Sequence, residues 1–125
     1  MPTILLVEDN EVNRVMLDRR LRRLGHSVVM AVDGEQGYAL AYNVRPDLIL
    51  MDVTLPGISG LRATRLLKAS QRTRHIPIIV LTADPSNRDD AFGAGCDAYA
   101  TKPIAFAKLN ELIEALLART RVSAS

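Results

Sequence analysis

Residues 48–57 read LILMDVTLPG: four consecutive apolar side chains, then a carboxylate at Asp52, then Pro56-Gly57. A short apolar run without polar alternation is the pattern of a strand buried on both faces, and the Pro-Gly pair marks the turn that follows it. A charge at the end of such a strand needs a reason. Residues 4–10, ILLVEDN, repeat the design, with Ile4 to Val7 closed by Glu8 and Asp9. Whether these three acids meet in space decides what the chain does.

Working outward, the same rhythm continues. Val28-Val29-Met30 and Ile78-Ile79-Val80-Leu81 are further apolar runs, and Ala98-Tyr99-Ala100 is a weaker fifth. Helical stretches lie between them. In the last one, Leu109, Leu112, Ile113, Leu116 and Leu117 follow the i, i+3, i+4, i+7, i+8 stripe of an amphipathic helix. Gly25 follows Leu24 where a helix would stop, Pro46 and Pro77 stand just before strands, and Asp33-Gly34 precedes the helix-like EQGYALAYN. Strands alternating with helices through short connections predict an α/β fold, a flavodoxin-like (βα)5 three-layer sandwich with a parallel sheet. The second and fifth strands are the shortest or least apolar, which suits the edges of a sheet ordered 2-1-3-4-5.

The chain has 125 residues, 48% hydrophobic and 24% charged, which fits one globular domain and leaves no room for a second. Residues 1–120 are assigned to that domain and 121–125 to a short polar tail. Sixteen basic and 14 acidic residues give a formal charge of +2, too mild and too mixed to imply direct nucleic-acid or anionic-lipid binding. The single cysteine, Cys96, cannot form an internal disulfide, and neither a signal-peptide pattern nor a membrane-spanning apolar run is present. These features predict a cytoplasmic protein without membrane insertion.

In a 2-1-3-4-5 sheet the chain leaves strands 1 and 3 toward opposite faces, opening a crevice at their carboxyl ends. Glu8, Asp9 and Asp52 all stand there. A lone acid at a strand end usually starts a loop or caps a helix. Three together repel one another and call for a cation, and an all-oxygen set favours Mg2+, Mn2+ or Ca2+ over zinc. The fourth strand closes with Thr82, and Lys102-Pro103 follows the fifth. Taken singly, Thr82 is an ordinary helix or turn residue and Lys102 a surface cation. Acids, a hydroxyl and an ammonium converging on one crevice suit a phosphoryl group, with a carboxylate as nucleophile. Asp52 stands alone on the middle strand with its far side open to a donor, so it is the candidate acceptor.

These residues carry a family resemblance. VEDN at 7–10, MDVTLPGISG at 51–60, LTA at 81–83, AGCDAY at 94–99 and TKPI at 101–104 resemble the response-regulator receiver domains, the CheY-like family of two-component signalling. The resemblance covers roughly residues 3–117. It implies that Asp52 is the phosphoacceptor, and that Glu8, Asp9, Asp52 and the Thr54 backbone carbonyl hold Mg2+, for which Mn2+ can substitute. It further implies that Lys102 binds phosphate, that Thr82 and Tyr99 form a switch, and that Lys102-Pro103 is a cis peptide. The implied protein is a monomeric stand-alone receiver taking phosphate from a histidine kinase or histidine phosphotransfer protein and acting on a downstream protein target. It would be no enzyme beyond its own phosphorylation and dephosphorylation. Glu8-Asp9-Asn10 followed by Asn13 is closer to receivers of hybrid kinases and small cell-cycle or polarity regulators than to motility receivers.

Tyr99 also fits a plain edge-strand aromatic over the core, and Val12 and Met16, one turn apart on the first helix, fit either a docking patch or core packing. Ala105 stands where many relatives have an acid, removing an N-cap from the last helix, while Thr54 and Asp84 are positions expected to tune phosphate lifetime. Asp84-Pro85 stiffens the loop after Thr82. Arg19, Arg20, Arg22 and Arg23 suit a solvated face at a helix carboxyl end, His26 and His75 sit alone in turns, and Cys96 suits packing. Two other classes are weighed. A haloacid-dehalogenase-like Mg2+ phosphatase also forms an aspartyl phosphate but wants an acid two residues after the nucleophile, where Thr54 stands; a flavodoxin-like binder wants a phosphate-cradling loop where EDNEVN offers acids.

Overall fold

The computed structural model describes residues 1–124, with side chains described through residue 119. Five strands, β1 (Thr3–Val7), β2 (Ser27–Ala31), β3 (Leu48–Asp52), β4 (Ile78–Thr82) and β5 (Ala98–Thr101), form one parallel sheet ordered β2-β1-β3-β4-β5. The helices are α1 (Glu11–Arg23), α2 (Gly34–Val44), α3 (Gly60–Ala69), α4 (Arg88–Ala94) and α5 (Phe106–Ala124), with a 3-10 turn at Pro85–Asn87 before α4. The alternation and strand order are those expected from the apolar runs.

Burial on both faces follows from the pleat. Along β1 and β3, Ile4, Leu6, Leu48 and Leu50 point to one core with Leu17 and Leu21 of α1 and Leu109, Ile113, Leu116 and Leu117 of α5. Leu5, Val7, Ile49 and Met51 point to the other, against Ala41 of α2, Ala63 and Leu67 of α3 and Ala91 of α4. Every residue of β3 and β4 is buried. At about 1.5–3 kcal/mol per large apolar side chain, these central strands fix the frame from which the loops depart.

Local chemistry sets the element boundaries. Asn10, Asp33 and Ser59 cap α1, α2 and α3, accepting from the backbone N–H of Asn13, Gln36 and Arg62. Gly25 takes φ +93°, a left-handed turn that only glycine adopts without strain. The residues assigned to a polar tail continue α5 as far as Ala124, and Ser125 lies outside the described residues.

Three surface readings change. His26 is buried, its Nε2 3.7 Å from Glu114 of α5, so the turn residue belongs to a packed junction. The arginine run is only partly a solvated face: Arg22 pairs with Asp18 and donates to the Val28 carbonyl, and Arg20 lies over the Phe106 ring. Val12 is 75% and Met16 45% exposed, which removes the core alternative for both.

Candidate functional site

Each chemically distinctive side chain sits at or just beyond a strand's carboxyl end. Glu8 follows β1, held by its N–H to the Ala31 carbonyl at 3.0 Å; Asp52 ends β3, opposite Leu81; Thr82 ends β4. Lys102 follows β5, with its N–H on the Thr82 carbonyl at 2.7 Å and a cis bond to Pro103. Glu8, Asp9 and Asp52 each present a carboxylate oxygen to a common point, these oxygens all within 4.8 Å of one another. The three acids meet, as strand order 2-1-3 requires.

Lys102 holds the acids together. Its Nζ lies 3.1 Å from Glu8 Oε1 and 3.1 Å from Asp52 Oδ2. Glu8 and Asp52 are both buried, whereas Asp9 is exposed. Burial pushes the Asp52 carboxyl up to about 6, and hydrogen bonding and repulsion from Glu8 add to it against the pull of Lys102. For Glu8 burial also works upward but is outweighed by hydrogen bonds from Asp52, the Asn10 N–H and Lys102, so it ionises more readily than usual. Burial opposes the Lys102 charge, and the two carboxylates overcome it and raise its pKa. Of the two carboxyls, Asp52 is the one held up and Glu8 the one held down.

A consequence is open to test. Lys102→Met leaves two buried carboxyls facing each other without a cation, which should destabilise the metal-free fold by about 3 kcal/mol near neutral pH. Urea unfolding should show a smaller loss in mild acid, where the pair takes up a proton; equal losses at both pH values would mean that Lys102 does not neutralise these acids.

Arg14 of α1 and Asn10 at its start support this centre. Arg14 donates one guanidinium nitrogen to the Glu8 carbonyl at 2.9 Å and the Asp9 carbonyl at 3.2 Å, pinning the β1–α1 loop. Asn10 gives its N–H to Glu8 Oε2 at 3.2 Å. Asn10 enters the sequence reading only as part of VEDN, and Arg14 has only the look of another surface cation. On the β3–α3 side, Glu35 accepts the Ile58 N–H at 3.2 Å, while Thr54 is exposed in the same loop.

Thr82 is 2% exposed and fully engaged. Its hydroxyl accepts from the Asp84 N–H at 3.0 Å and the Asn87 side-chain amide at 3.2 Å, and donates to the Asp84 carbonyl at 3.4 Å. Tyr99 is half-buried, its ring packed on the core beside Phe92 and its hydroxyl directed to the Asp84 carbonyl at 3.1 Å. The ring is thus an edge-strand aromatic over the core, with its hydroxyl turned to the segment that follows Thr82. Cys96 is buried, and burial pushes its thiol up to about 11, an unreactive packed cysteine.

Fold and crevice together define an α/β protein whose strand 1/3 switch point carries an acidic, lysine-bridged site suited to a divalent cation and a phosphoryl group. The sequence matches the response regulator receiver domain over residues 4–114, and the chain belongs to that family. It is 38% identical over 117 residues to the polar-differentiation response regulator DivK of Brucella anthropi, covering 92% of this chain and 95% of DivK. It is 42% identical to the transcriptional regulatory protein AfsQ1 of Streptomyces coelicolor over 95% of this chain, but spans only 52% of AfsQ1. Among solved structures, the receiver domain of the sensor histidine kinase PA1611 from Pseudomonas aeruginosa, with magnesium coordinated in its active site cleft, matches with TM-score 0.88 and 39% identity, covering 94% of this chain and 98% of that one. The chain is thus a receiver domain of two-component response regulators. Among the described residues no helix is long and apolar enough to cross a membrane.

Proposed function

We propose that the protein accepts a phosphoryl group on Asp52 in an Mg2+-dependent reaction and signals through phosphorylation-dependent contacts with other proteins. The observation that carries this reading is the convergence of Glu8, Asp9 and Asp52 on one point with Lys102 bridging two of them. The oxygen-only donor set fits Mg2+, with Mn2+ as a substitute, held by these acids and the Thr54 carbonyl. When bound, the cation supplies positive charge to the phosphoryl oxygens. Asp52 attacks phosphorus with a carboxylate oxygen while the bond to the donor, an imidazole nitrogen of a phosphohistidine or the carboxyl oxygen of an acyl phosphate, breaks in line. Lys102, freed from Asp52, binds a phosphoryl oxygen.

Output follows from two new bonds. Charge-assisted hydrogen bonds from Thr82 and Lys102 at about 1.5–3 kcal/mol each approach the roughly 5.5 kcal/mol that moves a two-state equilibrium from 1:99 to 99:1. Inward movement of Thr82 opens space for the Tyr99 ring and reshapes the α4–β5–α5 face. Val12 and Met16, exposed on α1 beside the acids, suit a helical phosphodonor on a histidine kinase or phosphotransfer protein. The domain works as a cytoplasmic monomer, with no catalysis beyond its own phosphorylation and dephosphorylation, and a relay or scaffolding role suits the likeness of Glu8-Asp9-Asn10 and Asn13 to receivers of hybrid kinases and small cell-cycle or polarity regulators.

Incubation with Mg2+ and acetyl phosphate should add one acid-stable, base-labile phosphoryl group per chain, read by intact mass and mapped to Asp52. A label on another residue, or one formed equally well in excess chelator, would sink the reading.

A further inference from the structure

Asn87 is the N-cap residue of α4, a position where asparagine usually bonds the first free N–H groups of its helix, yet here its side chain makes no cap bond. The amide is engaged elsewhere at both ends. Its Nδ2 donates to Thr82 Oγ1 at 3.2 Å, and its Oδ1 accepts from the Tyr99 hydroxyl at 3.3 Å. We propose that Asn87 is a positioning residue that ties Thr82 to Tyr99 and holds both in the unphosphorylated arrangement. This rests on the phosphorylation switch proposed above and names the residue through which its two halves are joined.

The chemistry of the three groups supports the assignment. Thr82 Oγ1 accepts two hydrogen bonds and donates one, all to Asp84 and Asn87. A phosphoryl oxygen on Asp52 needs the hydroxyl proton, so Thr82 must turn away from the Asp84 carbonyl and, in moving inward, leave the Asn87 amide. Tyr99 has one hydroxyl proton, shared between the Asp84 carbonyl and Asn87 Oδ1. Both acceptors lie on the 84–87 segment that Thr82 holds, so departure of the Thr82 hydroxyl loosens them together. A primary amide offers a donor to one partner and an acceptor to the other, which neither a carboxylate nor an aliphatic side chain does. Because the amide does not cap α4, removing it takes no cap bond from the helix.

Beryllofluoride, a phosphoryl mimic, tests this by 19F NMR titration in saturating Mg2+. Asn87→Ala should bind beryllofluoride about two- to tenfold more tightly than wild type, the equilibrium equivalent of one neutral hydrogen bond lost from the unliganded state. Affinity for Mg2+ alone should not change, a separation that a general loosening of the site would not give. In a Thr82→Val background the gain from the same substitution should shrink, since only the bond to Tyr99 remains to be released. Unchanged or weaker binding by Asn87→Ala, or a gain that persists undiminished beside Thr82→Val, overturns the inference alone. Failure of the wild-type protein to bind beryllofluoride in Mg2+ overturns the phosphorylation reading and the inference with it.

Discussion

The Asp52→Asn protein is expected to take up no phosphoryl group from acetyl phosphate and Mg2+, and to unfold at a higher temperature than wild type in metal-free buffer above about pH 7. Loss of phosphorylation follows from the proposed function, in which Asp52 supplies the attacking oxygen that the amide replaces. The gain in stability follows from the crevice. Asp52 titrates at about 6 in the folded protein against an ordinary value of 3.8, so the folded state binds more protons between those limits and stability falls as pH rises through that window. Above it the cost of a buried carboxylate beside Glu8 is fully present. An amide removes that cost: its NH2 donates to Glu8 as the protonated acid does, and its oxygen still accepts from Lys102. The net shift, which already includes the pull of Lys102, corresponds to about 1–3 kcal/mol, and each kcal/mol moves the midpoint by about 3–6 °C. Below about pH 4, where wild-type Asp52 is protonated in both states, the two proteins should converge. Thermal melts at several pH values in chelator check this; an Asp52→Asn protein less stable than wild type at neutral pH would mean that Asp52 is not the strained member of the pair.

That strain is the physical answer to a charge at the end of a buried strand. Side chains that stabilise the apo fold would be placed to pair every carboxylate, yet one ammonium here serves two acids while a third, Asp9, stands exposed beside them. The deficit of positive charge is what a divalent cation and then a phosphoryl group can use, since each brings the ligands or the charge that the metal-free crevice lacks.

How far the sequence reveals this site depends on the range of the interactions. Strands are legible because Ile4 to Val7, Leu48 to Met51 and Ile78 to Leu81 are apolar without a break, and burial on both sheet faces is the one environment that demands it. Strand order then places Glu8, Asp9 and Asp52 together without side-chain detail. The bridge from Lys102 to two acids is different in kind, because it depends on the rotamer of a long side chain across two loops. Arg14 and Asn87 escape for the same reason: a pair of side-chain bonds between elements leaves no periodicity. The continuation of α5 to Ala124 shows a third case, in which a stretch without glycine or proline carries the helix on, though it reads as a tail. Surface apolar residues such as Val12 and Met16 are ambiguous in sequence because an amphipathic stripe does not say which of its edges meets solvent.

Gly60 gives the second large effect, and one tied to the position of Asp52. It is buried at the start of α3, and a methyl group there would overlap the Asp52 carbonyl oxygen and crowd the Val53 Cα at 3.0 Å. Neither contact can yield easily, because both atoms are backbone at the end of a strand buried along its whole length. Gly60 itself cannot move away: its N–H bonds the Val53 carbonyl at 2.9 Å, and its carbonyl accepts from the buried Thr64 hydroxyl at 2.8 Å. Gly60→Ala should therefore cost about 3 kcal/mol or more, the upper range for overpacking a closed site, even though alanine is the better helix former. Gly93, inside α4, is the matched control, since a methyl group there meets nothing within 4 Å and Gly93→Ala should gain about 0.5–1 kcal/mol. Urea unfolding of the two variants should thus move in opposite directions. Whatever fraction of Gly60→Ala stays folded must displace the Asp52 backbone, so it should also phosphorylate more slowly than Gly93→Ala at equal folded concentration. Equal stabilities for wild type and Gly60→Ala would show that the β3–α3 junction yields, and with it that the Asp52 carboxylate is not held in place by the close approach of α3.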